Sequence, residues 1–318
     1  MRYYDVFNGD ADGICALHQL RLQRPQHSTL VTGVKRDIAL LKKLKVEAGD
    51  HITVLDISLD KNRKALQQML DEKAHVQYFD HHFSGDIPVS EYLFACIETS
   101  AEVCTSLLVN QHLQGAQCLW GAVGAFGDNL HHQARLAVKS QHLDEHQWAS
   151  LERLGTLINY NAYGITTDDL WLSPDRLYRA VALFTDPFAF IAESPAYRLL
   201  DEGYASDIAQ SDDLQTIVEQ SSVAAFLLPN EPWARRISGV LGNQLARQHP
   251  TRAHALITQM TDACYRISVR APLNDKKNAD TLCMQFPTGG GRKAAAGINS
   301  LPAHALEDFI AAFRSCYG

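Results

Sequence analysis

The chain has 318 residues, 46% apolar and 20% charged, with a formal net charge of −7. That length suits two domains with a sizeable buried core, and the acidic balance excludes a protein that grips long duplex DNA by its phosphates. No apolar run approaches the ~18–20 residues of a membrane span, and the opening MRYYDVFNGD lacks the apolar stretch of a secretory signal, so the expected location is cytoplasmic.

YYDVF (3–7) is a short strand signal, and helical spacing follows from Gly13 to about Arg24. STLVTGV (28–34) is β-rich, and RDIALLKKL (36–44) predicts a helix with Asp37 as an early-turn acid. HITVLDI (51–57) is a third strand. Asp60 then caps a helix in which Ala65, Leu66, Met69 and Leu70 keep helical spacing. HVQYF (75–79) and EYLFACI (91–97) are further strands, and Ser100 is the expected N-cap of the next helix. From about 145 to 222 the signals are mostly helical, broken by TDP (185–187) and SDD (211–213), and the two prolines of LLPNEPWARR (227–236) mark a boundary. AHALITQM and CYRISVRA then predict strands, KNADTLCMQF a helix, and PAHALEDFIAAFRSC a final helix after TGGGRKAAAGIN. The alternation predicts an α/β protein: a doubly wound, mainly parallel sheet over 1–190, a helical connector over 191–229 and a smaller α/β domain over 230–318.

Chemistry concentrates where the early strands end. Asp10 and Asp12 follow the first strand, and Gly13 lets the chain turn into a helix. Taken alone, Asp-x-Asp-Gly is turn chemistry, and ICALHQL after it lacks the later acid of a calcium loop. Asp56 ends the third strand and Asp80-His81-His82 ends the fourth, so all fall on the carboxyl edge, where open α/β sheets bind ligands. Asp128 follows the small residues of GAVGAFG. Carboxylates gathered in one crevice raise each other's pKa, and a divalent cation relieves the repulsion. Oxygen plus imidazole donors suit Mn²⁺, with Mg²⁺ the alternative. The seven cysteines have no C-x-x-C spacing, which argues against a zinc or disulfide framework.

Asp10-Ala11-Asp12-Gly13, Asp56, Asp80-His81-His82 and Asp128, in that order, resemble the motifs of the DHH phosphoesterase superfamily, and GGGRKAAAGIN (289–299) resembles the glycine-rich signature of its DHHA1 domain. The resemblance spans nearly the whole chain. It implies two Mn²⁺ ions held by Asp10, Asp12, Asp56, His81 and Asp128, with Asp56 bridging, and His82 on the substrate phosphate. Asp56, Asp80 and His82 are then the catalytic set. Val6 stands where many relatives carry a histidine, and Asn8, where others have an acid, offers a neutral oxygen ligand; one cation is then held more loosely or recruited with substrate.

In the second domain Arg266, Arg270, Lys276, Lys277, Arg292 and Lys293 make a basic excess. By resemblance Arg270 meets a terminal phosphate, and Gly289, Gly290, Gly291 and Arg292 form a nucleotide-binding loop in which Arg292 replaces the usual histidine. The implied activity is hydrolysis of short linear nucleotides, dinucleotides such as pGpG or nanoRNA, to mononucleotides, with the two domains facing each other across a cleft. A RecJ-like single-strand exonuclease and a cyclic-dinucleotide phosphodiesterase are the enzymatic alternatives, and a non-catalytic nucleotide sensor is the alternative of another class. No membrane partner is expected, and a homodimer is compatible with the sequence. Lys35 and Arg36 are read as a solvated helix start, and His131-His132 are left outside the site.

Overall fold

The computed structural model describes residues 1–261 and 263–318, and its chain divides into two units, Met1–Glu202 and Gly203–Gly318. The first unit begins β1 (Tyr3–Phe7), α1 (Ala11–Gln23), β2 (Thr29–Val31), β3 (His51–Leu55), α2 (Leu59–Asp71), β4 (His75–Asp80) and β5 (Leu93–Ile97). Among the described residues these strands form one all-parallel sheet of order β2-β1-β3-β4-β5. Parallel strands buried on both faces need near-continuous apolar runs, and β1, β3 and β4 supply them. Val6, Ile52, Val54 and Tyr78 pack under Leu66, Met69 and Leu70 of α2, whose apolar residues keep one helical face. On the opposite side α1 is buried from Ala11 to Leu20. Around it come α3 (Thr105–His112), α4 (Cys118–Gly127), α5 (His131–Ala137), α6 (Glu145–Asn161), α7 (Pro174–Val181), α8 (Pro187–Glu193) and α9 (Pro195–Ala209).

The second unit contains β6 (Gln215–Glu219), β7 (Val223–Leu228), α10 (Pro232–Gln248), β8 (Ala253–Thr261), β9 (Cys264–Arg270), α11 (Ala279–Cys283), β10 (Gly289–Arg292), β11 (Ala295–Pro302) and α12 (Leu306–Tyr317). Its sheet has the order β10-β11-β9-β8-β7-β6. Every pairing is antiparallel except β7 with β8, where α10 makes the crossover. The fold is thus α/β in both units, a doubly wound parallel sheet followed by a mixed one. Among the described residues no helix is long and apolar enough to cross a membrane.

Four local expectations are corrected. The helix predicted over 36–44 is irregular chain with one 3₁₀ turn, Leu41–Lys43. Asn62 of α2 explains this: its side chain accepts from Leu41 N–H (3.1 Å) and donates to Ile38 C=O (2.7 Å), taking backbone groups that a helix would pair internally. Ser58, rather than Asp60, is the N-cap of α2. The helix expected after Ser100 starts at Thr105, with Cys104 as an N-cap whose side chain makes no capping bond to the backbone. The stretch expected as a helical connector holds β6 and β7, which are strands of the second sheet.

Candidate metal centre

Strand register assembles the first part of the site. Phe7 is opposite Leu55, and Leu55 is opposite Phe79. The next residues along, Asn8, Asp56 and Asp80, therefore stand side by side at the carboxyl edge. Asn8 N–H donates to Leu55 C=O (3.2 Å) and Asp56 N–H to Phe79 C=O (3.0 Å), which continues the ladder into the loops. Asp56 has φ 59°, a left-handed conformation uncommon outside glycine but tolerated by Asp and Asn. Asp10 caps α1 by accepting from Gly13 N–H (3.1 Å). A Cβ on Gly13 would lie 2.2 Å from Asn8 C=O, so this close turn needs glycine.

Asp12, fully buried, reaches the start of α3. Its two carboxylate oxygens accept from Thr105 N–H (2.7 Å) and Ser106 N–H (2.6 Å). These are donors that a helix N-terminus leaves open, so Asp12 supplies the cap that Cys104 lacks. Asp128 arrives at the end of α4. That helix lies against α1 so closely that a Cβ on Gly127 would sit 2.3 Å from Ala11 Cβ.

His81 is the centre of the cluster. Its Nδ1 lies 2.9 Å from Val103 C=O, and a carbonyl only accepts, so Nδ1 carries the proton. Nε2 then lies 3.5 Å from Asp56 Oδ1, 3.6 Å from Asp128 Oδ2 and 3.9 Å from Asp12 Oδ2. Thr105 Oγ1 donates to Asp56 Oδ1 (3.2 Å). His82 Nδ1 donates to Asp80 Oδ1 (2.7 Å). Burial alone would lower the His82 pKa, but the Asp80 hydrogen bond and charge outweigh it and raise the ring above its ordinary value.

Burial, with Asp10, Asp12 and Asp128 adding to it, pushes the Asp56 carboxyl well above the usual carboxylate range. Asp128 is raised by burial and by Asp12 and Asp10, against an opposing pull from Lys35. Burial also pushes Asp10 upward, yet the Lys35 ammonium overrides it and holds Asp10 below the ordinary value. The arrangement fits a divalent cation. The His81 ring nitrogen faces carboxylates of which burial and mutual charge push Asp56 and Asp128 above the ordinary value, and the donor set is oxygen and nitrogen without thiolate. The atoms that lie within 4.8 Å of one another come from Asp12, His81 and Asp128, and from Asp56, His81 and His82.

The structure therefore brings Asp10, Asp12, Asp56, Asp80, His81, His82 and Asp128 to one crevice. It corrects the reading of Lys35. This side chain is inside the cluster, bonded to Asp10 and to Asn159 Oδ1 (3.0 Å), and 3.4 Å from Asp128 Oδ1. Asn159 carried one sequence signal, a polar residue beside the apolar stripe Leu151, Leu154 and Ile158 of α6. Asn8 is buried; its Nδ2 donates to Lys35 C=O (3.3 Å), and its Oδ1 accepts no hydrogen bond among the described residues. Val6 is a core residue, opposite Val31 and Val54 on the neighbouring strands.

In the second unit the expected glycine loop is an edge strand, β10. A Cβ on Gly289 would lie 1.8 Å from Cys283 C=O, whereas Gly290 faces open space. Gly291, at φ 144°, is in a region that side chains avoid. Register places Arg292 opposite Ala295, and Ala295 opposite Arg270. Residues directly opposite share a face, so the two arginines lie in one row, two strand spacings or about 9–10 Å apart. Arg292 is exposed. Arg270 Nε donates to Asn243 Oδ1 (2.8 Å).

No family model and no curated protein matches the sequence. Solved structures do. A protein described as a DHH-domain member of the S1p family of ribosomal proteins superposes with a TM-score of 0.65 at 12% identity, over 99% of this chain and 86% of that one. RecJ from Thermus thermophilus, in complex with Mn²⁺, gives 0.65 at 16% identity over 99% of this chain, which spans only 52% of RecJ. A pGpG-specific phosphodiesterase, PggH from Vibrio cholerae, gives 0.53 at 13% identity, covering 99% of this chain and 98% of PggH. The fold is that of DHH-domain proteins.

Proposed function

We propose that this chain, which has the fold of DHH-domain proteins, is a divalent-cation-dependent phosphodiesterase that hydrolyses short linear nucleotides, with pGpG-like dinucleotides and nanoRNA as the leading substrates. The observation that carries the reading is His81. Val103 fixes its ring so that Nε2 faces the carboxylates of Asp12, Asp56 and Asp128, and a divalent cation is the partner that an imidazole and carboxylates gathered in this way can share. Asp12, Asp56, His81 and Asp128 would hold it, with Mn²⁺ the preferred ion and Mg²⁺ the alternative. When bound, such an ion polarises a phosphoryl oxygen and makes water more acidic.

The chain's own groups orient the substrate. Asp80 accepts from His82 Nδ1 and favours the protonated ring, so Nε2–H is a donor at the rim, suited to a non-bridging phosphoryl oxygen. Thr105 Oγ1 and the α3 N–H groups hold Asp56 and Asp12 in place, so little reorganisation accompanies binding. In the second unit Arg270 and Arg292, with the backbone of Gly290, are the proposed phosphate and base contacts. The net charge of −7 favours a small anionic substrate over long nucleic acid. The shared fold of PggH and manganese-bound RecJ supports the same substrate class and ion. The cytoplasm is the proposed location.

The test is the purified full chain with Mn²⁺ and a panel of dinucleotides, longer RNA, single-stranded DNA, cyclic dinucleotides and pyrophosphate. Dinucleotides are expected to be cleaved fastest, to mononucleotides. Preference for long single-stranded DNA would overturn the substrate class, and nucleotide binding without turnover of any compound would make the chain a sensor.

A further inference from the structure

We propose that Lys35 takes the place of one cation, so that the centre holds a single divalent ion at Asp12, Asp56, His81 and Asp128 beside a fixed ammonium at Asp10. The inference rests on the reading of this cluster as a cation site, and it departs from the pair of ions that the motifs imply.

The ammonium of Lys35 has three donors, and three oxygens surround it: those of Asp10, Asn159 (3.0 Å) and Asp128 (3.4 Å). Asn159, 5% exposed on α6, bonds Nζ through its amide oxygen. An amide oxygen there is neutral and accepts, which suits an ammonium already balanced by Asp10. The main chain of Lys35 is held as well. Its N–H donates to Ala162 C=O (2.9 Å) at the end of α6, and its C=O accepts from Asn8 Nδ2 (3.3 Å). Asn8 thus acts as a positioning residue for Lys35 through this bond, a different role from the ligand expected of it.

Asp10 is the acid that this leaves unavailable. It belongs to neither group of converging donor atoms, each of which includes His81. A small divalent cation sits roughly 2.0–2.2 Å from its oxygen ligands. An ion held by Asp10 and Asp128 together would occupy the space in which the ammonium already contacts both. Val6, packed in the core, adds no donor on that side. Asp12, Asp56, His81 and Asp128 remain for one ion, and Lys35 supplies the other positive charge without exchange or loss.

The experiment is a Mn²⁺ titration of the metal-free full chain, read by equilibrium dialysis and electron paramagnetic resonance. The wild type is expected to bind one equivalent with the resolved six-line spectrum of an isolated ion. Lys35→Met is expected to bind two, with a spectrum broadened by coupling between neighbouring ions. Lys35→Gln, which keeps a donor and loses the charge, repeats the measurement should the Met variant not fold. Two tight equivalents in the wild type, or one equivalent in every folded Lys35 variant, would overturn the proposal. A wild type that binds no Mn²⁺ at all would overturn the cation site itself, and this inference with it.

Discussion

Asp56 concentrates the electrostatic conflict of the site. Its raised pKa means that the folded, metal-free protein binds a proton there more tightly than the unfolded chain. The associated stability is fully present below the ordinary Asp value, roughly 3.9, and is lost as pH rises through the raised one. In its ionised form the buried group is therefore a burden that a cation removes. Asp56→Asn keeps the left-handed backbone and the Thr105 bond while deleting the charge. The metal-free variant should melt several degrees higher than wild type, at about 2–4 °C per kcal/mol for a domain of this size, and should show no stabilisation by Mn²⁺ and no hydrolysis. A normal Mn²⁺-induced rise in Tm would remove Asp56 from the ligand set. His18 gives the opposite sign. Burial lowers its pKa to about 4, partly offset by its bond to Phe184 C=O (2.8 Å). A depressed histidine stabilises above the unfolded value of about 6.5, and that contribution drains away as pH falls toward the folded value, for on the order of 3 kcal/mol in all. Between pH 7.5 and 5 the wild type should thus lose more Tm than His18→Gln, and equal losses would show that His18 is not the group responsible.

At the scale of elements the site depends on how closely α1, α3 and α4 approach. Gly127→Ala places a methyl group against Ala11 and must push α4 away from α1. Overpacking of this kind costs about 1–3 kcal/mol, and the displacement carries Asp128 away from Asp12 and His81. The expected result is a lower Tm together with Mn²⁺ affinity weakened at least tenfold, equivalent to ~1.4 kcal/mol. An unchanged affinity in a destabilised variant would mean that Asp128 is not a ligand. The strand ends that carry Asp10, Asp56 and Asp80-His81-His82 were legible in the sequence, because apolar runs fix the strands and parallel register then forces their ends together. Capping of α3 was not legible, since its carboxylate, Asp12, lies 93 residues from the Thr105 N–H it accepts from, and local rules pointed to Ser100. The segment 36–44 misled for the same reason. Leu40, Leu41 and Leu44 have helical spacing, yet Asn62 of α2 takes Leu41 N–H and Ile38 C=O. Lys35 followed: once the segment was read as a helix, its first residues looked solvated, whereas the irregular chain turns Lys35 into the crevice.

For the whole molecule, the division of the chain into two units, each with an apolar cluster of its own, implies two cooperative transitions. One core lies between the parallel sheet and α2. The other joins Val223, Ile257, Val269 and Ile298 of the second sheet to Phe309 and Phe313 of α12. The proposed ion sits wholly within the first unit, so mass action should raise that unit's transition alone, by RT ln(1 + [L]/Kd) and about 2.7 kcal/mol at a hundredfold excess over Kd. The second unit has its own handle. Asp207 and Arg236 form a bidentate pair with contacts of 2.7 and 2.9 Å and side chains 2% and 9% exposed. Deleting one partner of a buried pair costs about 3–5 kcal/mol, because the remaining charge stays desolvated. Asp207→Ala should therefore lower the second transition in calorimetry while leaving intact the Mn²⁺-dependent shift of the first. Addition of pGpG with Mn²⁺ to a hydrolysis-dead Asp56→Asn chain then asks which unit holds nucleotide. Movement of the second transition, lost in Arg270→Ala, is the expected outcome. A single transition that responds to Mn²⁺ and to Asp207→Ala together would mean that the units unfold as one, and that stability contributed by the ion is spread over the entire chain.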